Sequence, residues 1–158
     1  MEKRKAFKAI AIIVVIGVIA GGGIVYYLFN MPHRDVQSAK VDYSMTTTQI
    51  VTEYLTDKNA ANQKYLAADG DSKILEISGT VAKISTNFNG HKVVLLKDNN
   101  DKAGVSATFT GETDKSLDGV MPGQAISVKG VIRSGAAYDE DLGLYEHVIL
   151  EKSDIVKK

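Results

Sequence analysis

From Ala9 to Phe29 the chain runs for twenty-one residues without a charge (AIAIIVVIGVIAGGGIVYYLF). At ~1.5 Å per residue, a helix of that length matches a hydrocarbon core of ~30 Å. The run therefore predicts a transmembrane helix over residues 9–29, with the lipid bilayer as its partner. Tyr26 and Tyr27 fall near its far end, where amphipathic rings suit the headgroup region. Lys3, Arg4, Lys5 and Lys8 precede it, whereas only Arg34 and Lys40 lie in the fifteen residues after it. The positive-inside rule then predicts a cytoplasmic basic N-terminus (residues 1–8) and a C-terminal domain outside the cytoplasmic membrane. Val18-Ile19-Ala20 would pass as a signal-peptide cleavage site, but the apolar run continues through Phe29, longer than a usual signal core, which favours an uncleaved anchor. Gly17 and Gly21 form a G-x-x-x-G spacing that lets two membrane helices approach, the basis for a homodimer reading.

What remains of the 158 residues is enough for one small domain. From Asn30 onward it holds 15 basic and 18 acidic residues, a net charge of −3. A slightly acidic domain is a poor nucleic-acid binder on electrostatics, because neutralising phosphates supplies most of that affinity. The absence of cysteine excludes disulfides, thiolate zinc sites, Fe–S clusters, a cysteine nucleophile and an acylated lipoprotein cysteine.

Residues 30–43 (NMPHRDVQSAKVDY) are polar and aperiodic and read as a tether, at most ~45 Å when extended. The domain is placed at 44–158. Thr46-Thr47-Thr48-Gln49 fits a capping box, and Ile50, Tyr54, Ala61 and Tyr65 recur near a helical period, with Asp57 re-capping a second short helix. After Gly70 the pattern changes to alternation. Leu75, Ile77, Gly79 and Val81 share one face, then the phase slips to Ile84, which predicts a bulge. Asn89-Gly90 favours a hairpin turn before His91 to Lys97. Strands follow at Val105 to Phe109, Ile126 to Ile132 and Tyr145 to Val156. The fold class is mainly β: a five-stranded OB-fold-like barrel preceded by an α-helical segment and an N-terminal transmembrane helix.

The blocks AANQKYL (60–66), LEISGTVAKI (75–84), VVLLKD (93–98), PGQAISVKGV (122–131) and HVILEKSDIV (147–156) occur in an order that resembles the tRNA_anti-like family of membrane-anchored bacterial OB-fold proteins. The resemblance spans roughly residues 36–158. It implies kinship with anticodon-binding barrels in fold but not tRNA binding. The layout is also similar to the periplasmic haem chaperones of cytochrome c maturation. Those carry haem on a C-terminal histidine, and Ser153 stands where that histidine would be, so no haem or other cofactor is expected.

Nucleic-acid barrels of this class present aromatic platforms on strands two and three beside basic loops. Here the outward phase of the third strand reads Ser106, Thr108 and Thr110, and the last loop carries Asp139, Glu140 and Asp141. Tyr138 and Tyr145 flank that loop and offer stacking faces. With Asp139 and the Asn87, Asn89 and His91 turn they make up the candidate barrel mouth, by fold analogy. The Asp98 to Asp101 and Asp139 to Asp141 clusters miss the EF-hand spacing, so no metal site is assigned. No catalytic motif occurs and no catalytic residue is assigned. The sequence thus reads as a single-pass, extracytoplasmic binding or accessory protein for an envelope protein, peptide or glycan. The alternatives are a nucleic-acid-binding barrel facing the cytoplasm and a structural subunit associating through its membrane helix.

Overall fold

The structure, a computed structural model, describes residues 17–18, 21–26 and 35–157. It divides into two units, residues 1–34 and 35–158. In the first, residues 17–18 and 21–26 are helical. The expected basic N-terminus lies outside the described residues, as does most of the expected membrane span over 9–29. Among the described residues no helix is long and apolar enough to cross a membrane.

The second unit begins earlier than the sequence suggests. Residues 35–42, expected to belong to a tether, are packed against the barrel. Asp35 closes a turn by accepting the Gln37 and Ser38 backbone N–H groups. That turn aims Val36, 2% exposed, into a small cluster with Ile74 and Val131. Lys129 Nζ donates to the carbonyls of Gln37 and Ala39, and Gln37 Nε2 donates to the Lys152 carbonyl at 2.6 Å. Asp42 exchanges two hydrogen bonds of 2.8 Å with the backbone of Ile74. One apolar anchor and a set of backbone contacts leave no periodic trace, which is why this strap reads as linker. It leads into β1 (Tyr43–Thr46), which pairs in parallel with residues 75–78.

Helix α1 (Thr47–Thr56) starts at the predicted capping box: Thr46 Oγ1 accepts from the Gln49 N–H while Gln49 Oε1 accepts from the Thr46 N–H. Asp57 caps α2 (Lys58–Tyr65) through the Ala60 N–H. Ile50, Val51 and Tyr54 on α1 and Ala61 and Tyr65 on α2 are buried in the main core. Each large side chain there adds roughly 1.5–3 kcal/mol by leaving water.

The barrel comprises β2 (Ile74–Thr86), β3 (Lys92–Leu96), β4 (Val105–Phe109), β5 (Ala125–Ser134) and β8 (Val148–Ile155). Neighbouring strands run β2-β3-β4-β8-β5, and β5 pairs back on β2, which closes the ring. β4 and β8 are parallel and the other barrel pairs antiparallel. This is the five-stranded OB layout. The predicted phase slip is a register shift between Val81 and Lys83, which lets the long β2 serve β5 with its first half and β3 with its second. Gly79 is needed where β2 passes the N-terminus of α1, because a Cβ there would lie 2.2 Å from Thr47 Oγ1. The 111–123 loop contains a 3₁₀ turn at Asp114–Leu117.

Two features depart from the expected strand plan. A small hairpin pairs β6 (Ala137–Asp139), in the segment read as a loop, with β7 (Leu144–Glu146), at the start of the last expected strand. The last expected strand, Tyr145 to Val156, is split at His147, whose Nδ1 accepts the Gly104 N–H at 3.0 Å instead of continuing the ladder.

A lysine and tyrosine groove at one end of the barrel

The β6–β7 hairpin forms because Asp139 and Gly143 supply its turn. Asp139 Oδ1 accepts the Leu142 N–H, its carbonyl accepts the Gly143 N–H, and Gly143 takes φ +65°. This register sets Tyr138 opposite Tyr145, with ring centroids 4.8 Å apart and planes at 49°. Lys102, in the β3–β4 turn, holds its Nζ 5.6 Å from the Tyr145 ring. The chain enters the hairpin through Gly135, which lies against the ring of Tyr54 from α1.

Between these elements lies an open groove of about 390 Å³, lined by Tyr54, Lys58, Lys102, Tyr138 and Tyr145 with apolar neighbours. Tyr138 is 51% exposed, and neither Lys58 nor Lys102 makes an ion pair among the described residues. Tyr54 is 1% exposed and its hydroxyl has no hydrogen-bond partner among the described residues. Burial, reinforced by Tyr65 and Glu53, pushes that phenol up to about 12, so it stays neutral. The groove therefore offers stacking faces and two lysines, while the neutral Tyr54 hydroxyl is buried. Among the described residues no group of three or more His, Asp or Glu is placed to hold a metal ion.

The structure brings together three of the six residues expected at the mouth: Tyr138, Asp139 and Tyr145. Asn87, Asn89 and His91 lie at the other end of the β3–β4 hairpin. Val93 pairs with Thr108 at their end, whereas Leu96 pairs with Val105 beside the groove. At that far end Asn87 Oδ1 accepts the Asn89 and His91 N–H groups, His91 Nδ1 sits 3.9 Å from Asp114 Oδ2, and Phe88 is fully exposed. The outward face between the two ends carries Val93, Leu95, Ser106 and Thr108, while Phe109 is buried in the core. Gly17 and Gly21 fall in the described helical residues of the first unit, where an added Cβ would meet no atom within 4 Å. Lys58, Lys102 and Tyr54 were not singled out by the sequence. Exposed lysines carry no periodic signal, and Tyr54 follows the core stripe of α1.

His147 ties the groove's turn to β8. Burial first and Lys97 second lower its proton affinity below the usual histidine value of 6.5. The unfolded chain then protonates before the folded one, so this contribution is complete above about pH 6.5 and is lost as pH falls. Protonation at Nδ1 also removes the acceptor for Gly104, on the order of 1 kcal/mol. Thermal unfolding between pH 7.5 and 5.5 should show a steeper loss of stability for the parent chain than for His147→Gln, which takes up no proton. Equal slopes would show that His147 has no such role.

The sequence profile of the tRNA_anti-like family matches residues 1–140. The chain belongs to this family. The match takes in the apolar run and stops within the β6–β7 hairpin. No curated protein sequence matches the chain. Among solved structures, it is similar to a lipoprotein from Klebsiella pneumoniae named for an inferred nucleic-acid-binding role. Identity is 16% and the TM-score 0.53, over 80% of this chain and 100% of that one. At that identity the likeness shows the fold alone. A chain of the yeast Stn1 and Ten1 structure aligns more loosely, at 14% identity and a TM-score of 0.34, over 78% of this chain and 66% of that one.

Proposed function

We propose that this member of the tRNA_anti-like family is a single-pass membrane protein, N-terminus in, whose OB barrel stands outside the cytoplasmic membrane and binds an envelope ligand non-covalently, with no catalytic step of its own. The uncharged run over 9–29 and its basic flank support the anchor and its orientation. The observation that carries the binding reading is the groove itself. Two tyrosines, two lysines without ion pairs among the described residues and a buried phenol meet there.

A second reading is a nucleic-acid barrel facing the cytoplasm, favoured by the inferred role of the Klebsiella lipoprotein and by Lys58 and Lys102. Against it stand the outward strand face of Val93, Leu95, Ser106 and Thr108, which offers no stacking platform, and the carboxylates of Asp139, Glu140 and Asp141 beside the groove. A compartment-sensitive reporter fused after Lys158, read with protease access in spheroplasts, decides between them. An external C-terminus is the expected result. A cytoplasmic one would overturn the location and direct attention to RNA binding at low salt.

A further inference from the structure

The groove combines chemistries that the fold does not use. Lys58 opens α2 and Lys102 sits in the β3–β4 turn, so two lysines from separate elements line one cleft, with Lys102 Nζ 5.6 Å from the Tyr145 ring. Tyr138 keeps half its surface exposed although its ring is held against Tyr145. A phenylalanine at position 54 would fill the same volume without leaving a buried hydroxyl unpartnered, so the phenol is a net cost to the fold as it stands. Its partner is then to be sought in something that enters the groove. The volume of about 390 Å³ falls at the small end of ligand pockets, ~300–1,000 Å³, and its lining is more polar than a drug-like cavity.

We infer that this groove is the binding site for an acidic sugar unit, a ring bearing one carboxylate or phosphate together with free hydroxyls. The apolar face of the sugar ring stacks on Tyr138. Its anionic group is held by Lys58 and Lys102, and a ring hydroxyl supplies the partner that Tyr54 lacks. The hydroxyl of Tyr54 is closed off from water by its surroundings, so engaging it takes a shift of the hairpin, whose strands have three residues each. A single anion suits the site better than a polyanion. Glu140, Asp141 and Glu146 are exposed on the same hairpin and would meet any phosphate chain extended past the groove. The inference rests on the reading of the domain as an extracytoplasmic binding module and names its ligand class.

The test titrates the full chain in detergent micelles, at physiological salt, with four probes: a glucuronic-acid-containing disaccharide, glucose 1-phosphate, a neutral disaccharide and a hexathymidylate. At least one acidic sugar should bind about tenfold or more tightly than the neutral one, and which of the two does so identifies the anion as carboxylate or phosphate. Lys58→Ala with Lys102→Ala should erase that preference. Tyr138→Ala should weaken binding severalfold, and Tyr54→Phe should weaken it too while the unfolding temperature holds or rises. The inference is overturned by equal binding of acidic and neutral sugars, by a preference that survives the double lysine substitution, by parental affinity in Tyr54→Phe, or by tighter binding of the oligonucleotide. An internal C-terminus with acidic-sugar binding intact would sink the proposed location and leave the site standing. An external C-terminus with no acidic-sugar preference would do the reverse.

Discussion

Replacing Gly135 with alanine should cost the domain about 3 kcal/mol, among the largest penalties a single methyl group can bring. A Cβ at this position would lie 1.8, 2.0 and 2.3 Å from three carbons of the Tyr54 ring. These are overlaps, and the ring has nowhere to go, because Tyr54 is buried between α1 and the segment that leads into β6. Urea unfolding measures the effect, with the midpoint falling at constant slope. The cause can be isolated by a cycle: in a Tyr54→Leu background, which removes the ring, Gly135→Ala should cost less than 1 kcal/mol. An equal penalty in both backgrounds would mean that the ring is not what excludes the methyl group. Because the same contact floors the groove, Gly135→Ala should also disturb the Tyr138–Tyr145 pair, visible as a change in near-ultraviolet dichroism.

Tyr65→Ala should be at least as damaging, at about 4 kcal/mol, within the range for deleting a buried aromatic side chain. Tyr65 is fully buried where α2 meets α1 and β1. Its ring stands edge-on to Tyr43 at 5.3 Å and lies 6.0 Å from Tyr54, and its hydroxyl donates to Glu53 Oε2 at 2.7 Å. Tyr65→Phe keeps the packing and removes only the hydrogen bond, so about 1 kcal/mol is expected. If the two variants proved equally destabilising, the hydroxyl rather than the ring would be the main fastener. Lys64 also donates to Glu53, at 2.9 Å, but that pair is exposed enough that its loss should be worth well under 1 kcal/mol. Burial works against the Glu53 carboxylate, yet the bonds from Tyr65 and Lys64 outweigh it and hold its proton affinity below the usual value of 4.5. Its contribution is therefore complete above that pH and fades on acidification below it.

How much of this was legible in the chain depends on whether a feature repeats. The capping box at Thr46 to Gln49, the second cap at Asp57 and the phase slip after Val81 are local signals with a single physical meaning, and each is found where the residues place it. Strands β2, β4 and β5 alternate long enough to be seen, and β3 is marked by the Asn89-Gly90 turn before it. Features held by partners far along the chain were not visible. Residues 35–42 have one buried apolar side chain, and their bonds go to Ile74, Lys129 and Lys152. The β6–β7 strands are too short for a period, so only their tyrosines drew notice. The groove follows the same rule. Tyr138, Asp139 and Tyr145 could be named because they crowd one loop. Lys58 and Lys102 join them only through the closure of the barrel, which also carries Asn87, Asn89 and His91 to the opposite end.

Strand β1 has a further consequence for where this domain can be cut. The first half of β2 gives one side of its backbone to β5, and β3 reaches only its second half. Residues 75–78 would otherwise present a row of open N–H and C=O groups, an invitation to any passing extended chain. Tyr43 to Thr46 occupy that row. A fragment beginning at the first helix would keep the whole barrel and still expose a sticky margin, so its failure would show as self-association before any loss of the fold. The few residues ahead of the helices thus act as a selvedge that keeps the weave of the sheet from catching on its neighbours.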